Sequence, residues 1–237
     1  MTFSVVAFDE RTGRIGVAVA SRFLAVGARN AFVKTGVGAI ASQGLLNPYF
    51  GPRGLAVMSA GASAADAVRM LLAADEGREM RQLVVMDRHA RFAAHTGTLA
   101  GEISGHRIGR TYALAGNVLA SEAVLQAMAE TMERGADLPF SRRLISALQA
   151  GEAAGGDRRG RQSASLLVHD GEEYSLYDLR VDDHPEPVKE LARLEAVARE
   201  RWVHVRKVLP SRDQPHGILN PAEIDDAIAN SIKSGFE

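Results

Sequence analysis

Two groups of residues in this sequence have types and spacings that suit attack on an amide bond or capture of an anion. The first is Thr2. Removal of Met1 before so small a residue would leave an N-terminal threonine, whose α-amine has an ordinary pKa of about 7.7–8.0. That lies close to the operating pH a general base needs, so such a threonine is a nucleophile carrying its own base. The second is the run Gly155-Gly156-Asp157-Arg158-Arg159-Gly160-Arg161-Gln162-Ser163. Paired glycines permit unusual backbone angles, and arginine forks recognise carboxylate or phosphate. Asp157, Arg158, Arg161, Gln162 and Ser163 are therefore expected to line a substrate site. The plainer alternative is that Asp157 pairs with one arginine and simply fixes the loop.

Amide side chains and glycine N–H groups are the usual donors of an oxyanion hole. Gln43, Gly44, Asn47 and Asn117 follow expected strand ends and join the substrate-binding candidates, although each residue type also serves turns by bonding its own backbone. His95, at the end of an apolar strand, is added to the same set; a rim histidine is the plainer reading. Asp182-Asp183-His184 offers metal-type ligands, but on an extended chain only Asp182 and His184 share a face. A clasp between sheet and tail is expected there, with no metal and no cofactor.

Other chemistries are disfavoured by what the sequence lacks. It has no Gly-x-x-x-x-Gly-Lys-Ser/Thr loop, no Gly-x-Gly-x-x-Gly, no Gly-x-Ser-x-Gly and no His-Glu-x-x-His. Cysteine is absent from the 237 residues, which removes disulfides, thiol nucleophiles and Cys-based metal centres. With 28 Lys+Arg against 29 Asp+Glu, the chain lacks the basic excess that nucleic-acid binding needs. No apolar run approaches the roughly 20 residues that span a bilayer, and the first ten residues do not read as a signal peptide. A cytoplasmic protein acting on a small molecule or peptide is the expectation.

These residues need a frame. Apolar and β-branched runs predict strands at 4–8, 15–20, 33–42, 82–86, 91–95, 112–118, 163–169 and 174–181. Helical periodicity with caps and stops predicts helices near 63–75, 121–134 and 139–150. Blocks of adjacent strands alternating with paired helices favour antiparallel sheets covered by helix layers. After residue 181 the pattern changes. Two prolines break the sheet, a charged amphipathic helix is expected from Val188 to Val205, and Asn220-Pro221-Ala222-Glu223 starts another helix. The chain divides on this reading into a domain over 1–181 and a helical extension over 182–237.

Thr2 at a strand start, a returning hairpin that ends at Ser21, and Lys34 inside a strand of small residues together resemble proteasome-type β-subunits and other N-terminal-nucleophile (Ntn) hydrolases. That resemblance implies that Lys34 would stabilise developing charge beside Thr2. Ser21 stands where the proteasome pattern has an acidic residue. A longer resemblance is to the domain-of-unknown-function family 1028. It rests on the segments 1–7 and 19–27, on Asn47-Pro48 with Gly51-Pro52-Arg53-Gly54-Leu55, on His95-Thr96-Gly97, and on the segments 116–120, 153–164 and 179–185. Through that family it implies an α+β, four-layer αββα sandwich of Ntn type. Thr2, Lys34 and Ser21 form the implied catalytic set of an amide hydrolase. A non-catalytic ligand-binding or assembly protein of the same fold is the alternative. A homo-oligomer, most simply a dimer using part of the tail, is expected.

Overall fold

The computed structural model describes residues 2–236. Strands β1 (Thr2–Phe8) and β2 (Ile15–Ser21) form an antiparallel hairpin, paired from Thr2–Ser21 to Phe8–Ile15. Side chains alternate across a strand, and here both faces are apolar. Phe3, Val5 and Ala7 enter one core cluster, while Val6, Val17 and Val19 enter another. Such strands must be covered on both sides. The helix α1 (Gly27–Asn30) then leads into β3 (Ala31–Lys34), β4 (Gly38–Gly44), α2 (Phe50–Ser59) and α3 (Ala64–Ala73). Next come β5 (Arg81–Asp87), β6 (Phe92–Thr96), β7 (Gly105–Ile108) and β8 (Tyr112–Asn117). The helices α4 (Ala123–Arg134) and α5 (Phe140–Ala153) precede β9 (Ser163–His169) and β10 (Ser175–Val181), and α6 (Pro187–Glu200), α7 (Trp202–Val205) and α8 (Pro221–Ser234) follow.

The strands form two antiparallel sheets, ordered β10-β9-β2-β1-β8-β7 and β3-β4-β5-β6. Val6, Val17, Ala39, Val84 and Ala115 fill the space between them. On the outer side of the first sheet lie Met128, Leu144, Leu148 and Leu191 of α4, α5 and α6. On the outer side of the second, Ile40, Leu83 and Val85 meet Met58, Ala67 and Leu71 of α2 and α3. The tail helix α6 lies on the first sheet and α5, burying Val188 and Leu191. Among the described residues no helix is long and apolar enough to cross a membrane.

Several expectations need correction. The stretch 33–42 is a hairpin: the chain reverses at residues 35–37, with Gly36 and Gly38 at positive φ. The helix α2 is an addition that the Gly51-Pro52-Arg53-Gly54 spelling hides, and β7 is a short edge strand that was not expected. The tail helix ends at Glu200, and α7 continues separately. The reading of α8 stands, with Asn220 Oδ1 accepting from Ala222 N at 3.1 Å and Pro221 in the first turn. Asp182–His184 takes structural contacts: Ala25 N donates to Asp182 O at 2.9 Å, and Gln162 Nε2 to Asp183 at 3.1 Å.

Candidate functional site

Strand register creates a polar end to the sandwich. Asn117, Thr2, Ser21 and Ser163 are direct cross-strand partners on β8, β1, β2 and β9. Opposite them, Gln43, Gln82 and Thr96 are partners on β4, β5 and β6. By alternation both rows turn toward the space between the sheets, in phase with Val6, Val19, Ala41 and Val84. Thr2, Ser21, Gln43, Gln82, Asn117 and Ser163 are all buried.

The rows are bonded to each other. Thr2 Oγ1 lies 3.0 Å from Ser21 Oγ, and Gln43 Nε2 donates to the Thr2 carbonyl at 3.3 Å. Gln82 is the hub: its Oε1 accepts from Gln43 at 2.7 Å and from Asn117 Nδ2 at 3.0 Å. Its Nε2 donates to Thr96 Oγ1 at 3.0 Å, Gly105 O at 2.9 Å and Gly116 O at 2.8 Å. Gln43 Oε1 and Ser4 Oγ, near Thr2, are buried without a partner. Buried polar groups are ordinarily satisfied, so this end holds unused hydrogen-bonding capacity beside the hydroxyl pair. Sequence reasoning missed Gln82, Thr96 and Ser4. The signal was there in β5, where Gln82 is in phase with the inward Val84 and Met86.

The remaining candidates lie elsewhere. Lys34 is at the far end of the sandwich, paired with Gly38, while Gln43 near Thr2 sits five residues further along β4. At ~3.3 Å per residue that is a separation of roughly 16 Å along the strand. Its exposed Nζ reaches Ser59 Oγ at 3.3 Å. The implied pairing of Lys34 with Thr2 is therefore corrected, and the cause is the hairpin at residues 35–37. His95 pairs with Leu83, which faces the helices, and its Nε2 is 3.0 Å from Arg78 O. Asn47 donates to Asp75 at 2.9 Å; with Arg81 bonded at 2.8 Å, that carboxyl is held down at about 2, chiefly by the Arg81 hydrogen bond. Gly44 has φ +84°, and a Cβ there would stand 2.6 Å from Met80 O, so it serves a close approach to the turn that leads into β5.

The arginine loop is tied mostly to its neighbours. Asp157 accepts from Arg22 N at 2.7 Å and Arg159 N at 2.8 Å, and its carboxylate lies 3.4 Å from the Arg159 guanidinium. Arg158 pairs with Glu102 and Arg161 with Glu152, at 3.2 and 3.1 Å. Gln162 N donates to Ser21 O at 3.1 Å, and Ser163 Oγ donates to Phe23 O. Asp157, Arg161, Glu152 and Ser21 line a cleft of about 200 Å³ together with Phe3 and Ala20. Phe3 and Ala20 face the helices, so the cleft opens on the opposite face of the sheet from the Thr2 side chain. Burial pushes the Glu152 carboxyl up, against the lowering influence of Arg161.

The match to known proteins follows the fold. The family of unknown function DUF1028 covers residues 2–191. The chain belongs to this family. A DUF1028 protein from Silicibacter pomeroyi is 35% identical, over 92% of this chain and 99% of that one, with a TM-score of 0.84. Anbu from Hyphomicrobium sp. strain MC1 is 11% identical over 83% of this chain and 94% of its own, with a TM-score of 0.42. Anbu, an ancestral beta-subunit, from Yersinia bercovieri is 12% identical over 89% and 99%, with a TM-score of 0.38. No curated protein matches the chain.

Proposed function

We propose that this DUF1028 protein is an amide hydrolase of the N-terminal-nucleophile kind, its αββα sandwich being of that type. One observation carries the reading: the Thr2 hydroxyl lies 3.0 Å from the Ser21 hydroxyl at a buried strand start. With Met1 removed, the Thr2 α-amine takes the proton of Oγ1 as that oxygen attacks the amide carbon. The leaving nitrogen departs with a proton, and the acyl group stays as an ester on Thr2. Water then cleaves the ester, and its proton restores the hydroxyl. Ser21 relays the proton between Oγ1 and the amine. Lys34 is too distant to help, so the Asn117 amide, with one Nδ2 hydrogen on Gln82, takes the electrostatic role. The substrate is a small-molecule or peptide amide.

The displacement of Lys34 favours a second reading, a non-catalytic binding or assembly protein of the same fold. Intact mass and turnover separate the two. Hydrolysis is expected to require loss of Met1, to vanish in Thr2→Ala with folding intact, and to persist in part in Thr2→Ser. Turnover of acyl-amides by Thr2→Ala at the wild-type rate would overturn the nucleophile. Retained Met1 with no turnover would leave the second reading.

A further inference from the structure

The opposite end of the sandwich holds a second cavity, of about 190 Å³, in which Phe8, Ile15, Val37 and Met86 supply apolar walls. Thr35, from the β3–β4 turn, and His169, the last residue of β9, meet there, and Asp87 and Arg88 also line it. His169 is only 8% exposed. Its Nδ1 lies 2.9 Å from Thr35 Oγ1, and that hydroxyl donates to the Glu172 carbonyl.

This arrangement fixes the imidazole. A carbonyl oxygen only accepts, so the Thr35 hydrogen is committed to Glu172 and Nδ1 must carry the hydrogen that reaches Thr35 Oγ1. Nε2 is then left with a lone pair. Among the described residues the ring is bonded at Nδ1 to Thr35 and also to the Glu172 backbone, and His169 lines the cavity. Burial pushes the pKa of His169 below its ordinary value, against a hydrogen bond to the Glu172 backbone that raises it. The neighbouring carboxylate is already occupied: Asp87 accepts from the backbone N–H groups of Ala64, His89 and Arg91 and from the Arg91 side chain. Gly13, Gly36 and Gly171 have open space where a Cβ would stand, which leaves room at the mouth.

The geometry points to a second ligand site here: a compact, neutral, mostly apolar molecule with one O–H or N–H donor, its proton bound to His169 Nε2. Pockets of this kind combine apolar walls with a few placed polar groups. An apolar cavity of about 150 Å³ already accepts benzene, so a phenol-sized ring with one donor fits the volume. A metal site is not indicated, because no group of three candidate ligand side chains gathers among the described residues. The site stands whether or not Thr2 is a nucleophile.

Titration of the whole protein with phenol, benzene and anisole, followed by the ¹⁵N signals of the His169 ring, tests this. The free ring is expected as the Nδ1–H tautomer. Phenol should bind saturably and shift Nε2, with anisole and benzene at least about fivefold weaker, the worth of one ordinary hydrogen bond. Thr35→Val should reduce the preference for phenol over anisole, and His169→Phe should abolish it. Equal affinity for phenol and anisole in the wild type, an Nε2–H tautomer, or no saturable shift at His169 would each overturn the proposal. The wild-type arms decide the matter even if a variant fails to fold.

Discussion

Thr2 and Gln82 hold their places by different means. Thr2 is positioned by backbone register, which sets it beside Ser21 and Asn117 regardless of its own side chain. Gln82 is positioned by its amide, which ties β7 and β8 of the first sheet to β4, β5 and β6 of the second. Removing the Thr2 hydroxyl should therefore be nearly silent for stability, whereas Gln82→Leu takes the acceptor from the buried Asn117 amide and leaves Gln43 only the Thr2 carbonyl. Each buried, unsatisfied group costs about 1–3 kcal/mol, so Gln82→Leu should lower the unfolding free energy by about 3 kcal/mol in urea titrations. A loss below about 1 kcal/mol would show that the hub carries little. The sequence made Thr2, Ser21, Asn117 and Gln43 visible because each falls at or beside a strand end. It could not show that Lys34 lies elsewhere, since a lysine's place depends on how many times the chain has turned back before it.

At the scale of elements, α2 is the instructive case. Gly51 and Gly54 let this helix descend onto the second sheet: a Cβ at Gly51 would stand 2.3 Å from the Phe32 ring, and one at Gly54 2.5 Å from Ile40 Cδ1. The same glycines, with Pro52 between them, make the segment read as a loop, because helix propensity counts against them. Tertiary packing overrides that propensity. Gly51→Ala would be favourable in an isolated helix, yet here it should cost about 1–3 kcal/mol through overpacking against Phe32. Urea denaturation of Gly51→Ala beside an exposed control such as Arg53→Ala checks this, and equal stability of the two would refute the close approach. Strands β1, β2, β5, β8, β9 and β10 were legible because both their faces are apolar or alternate cleanly. The short edge strand β7 was not, since only Gly105 to Ile108 take part and their side chains are mostly exposed.

At the scale of the whole molecule, the two ends of the sandwich differ in chemistry although the same alternation builds both. One end collects hydroxyls and amides between the sheets; the other closes on Thr35 and His169. The sides are covered by helices, and the tail leaves apolar surface uncovered: Val197 and Trp202 are partly exposed, Ile232 is 45% exposed and Leu219 is 77% exposed. Association can cover exposed apolar side chains of this kind, and closed two-fold pairs are the commonest solution for a single chain type. The tail is therefore expected to join two copies. Light scattering at micromolar concentration should give twice the chain mass. Leu219→Lys with Ile232→Lys should return it to one chain mass with the circular dichroism unchanged, since both side chains point away from the cores. A wild-type monomer would overturn the expectation, and a dimer that survives the double substitution would move the interface off the tail. In that case the exposed side chains around the Thr2 end, Leu45 and Leu99 among them, become the next surface to substitute.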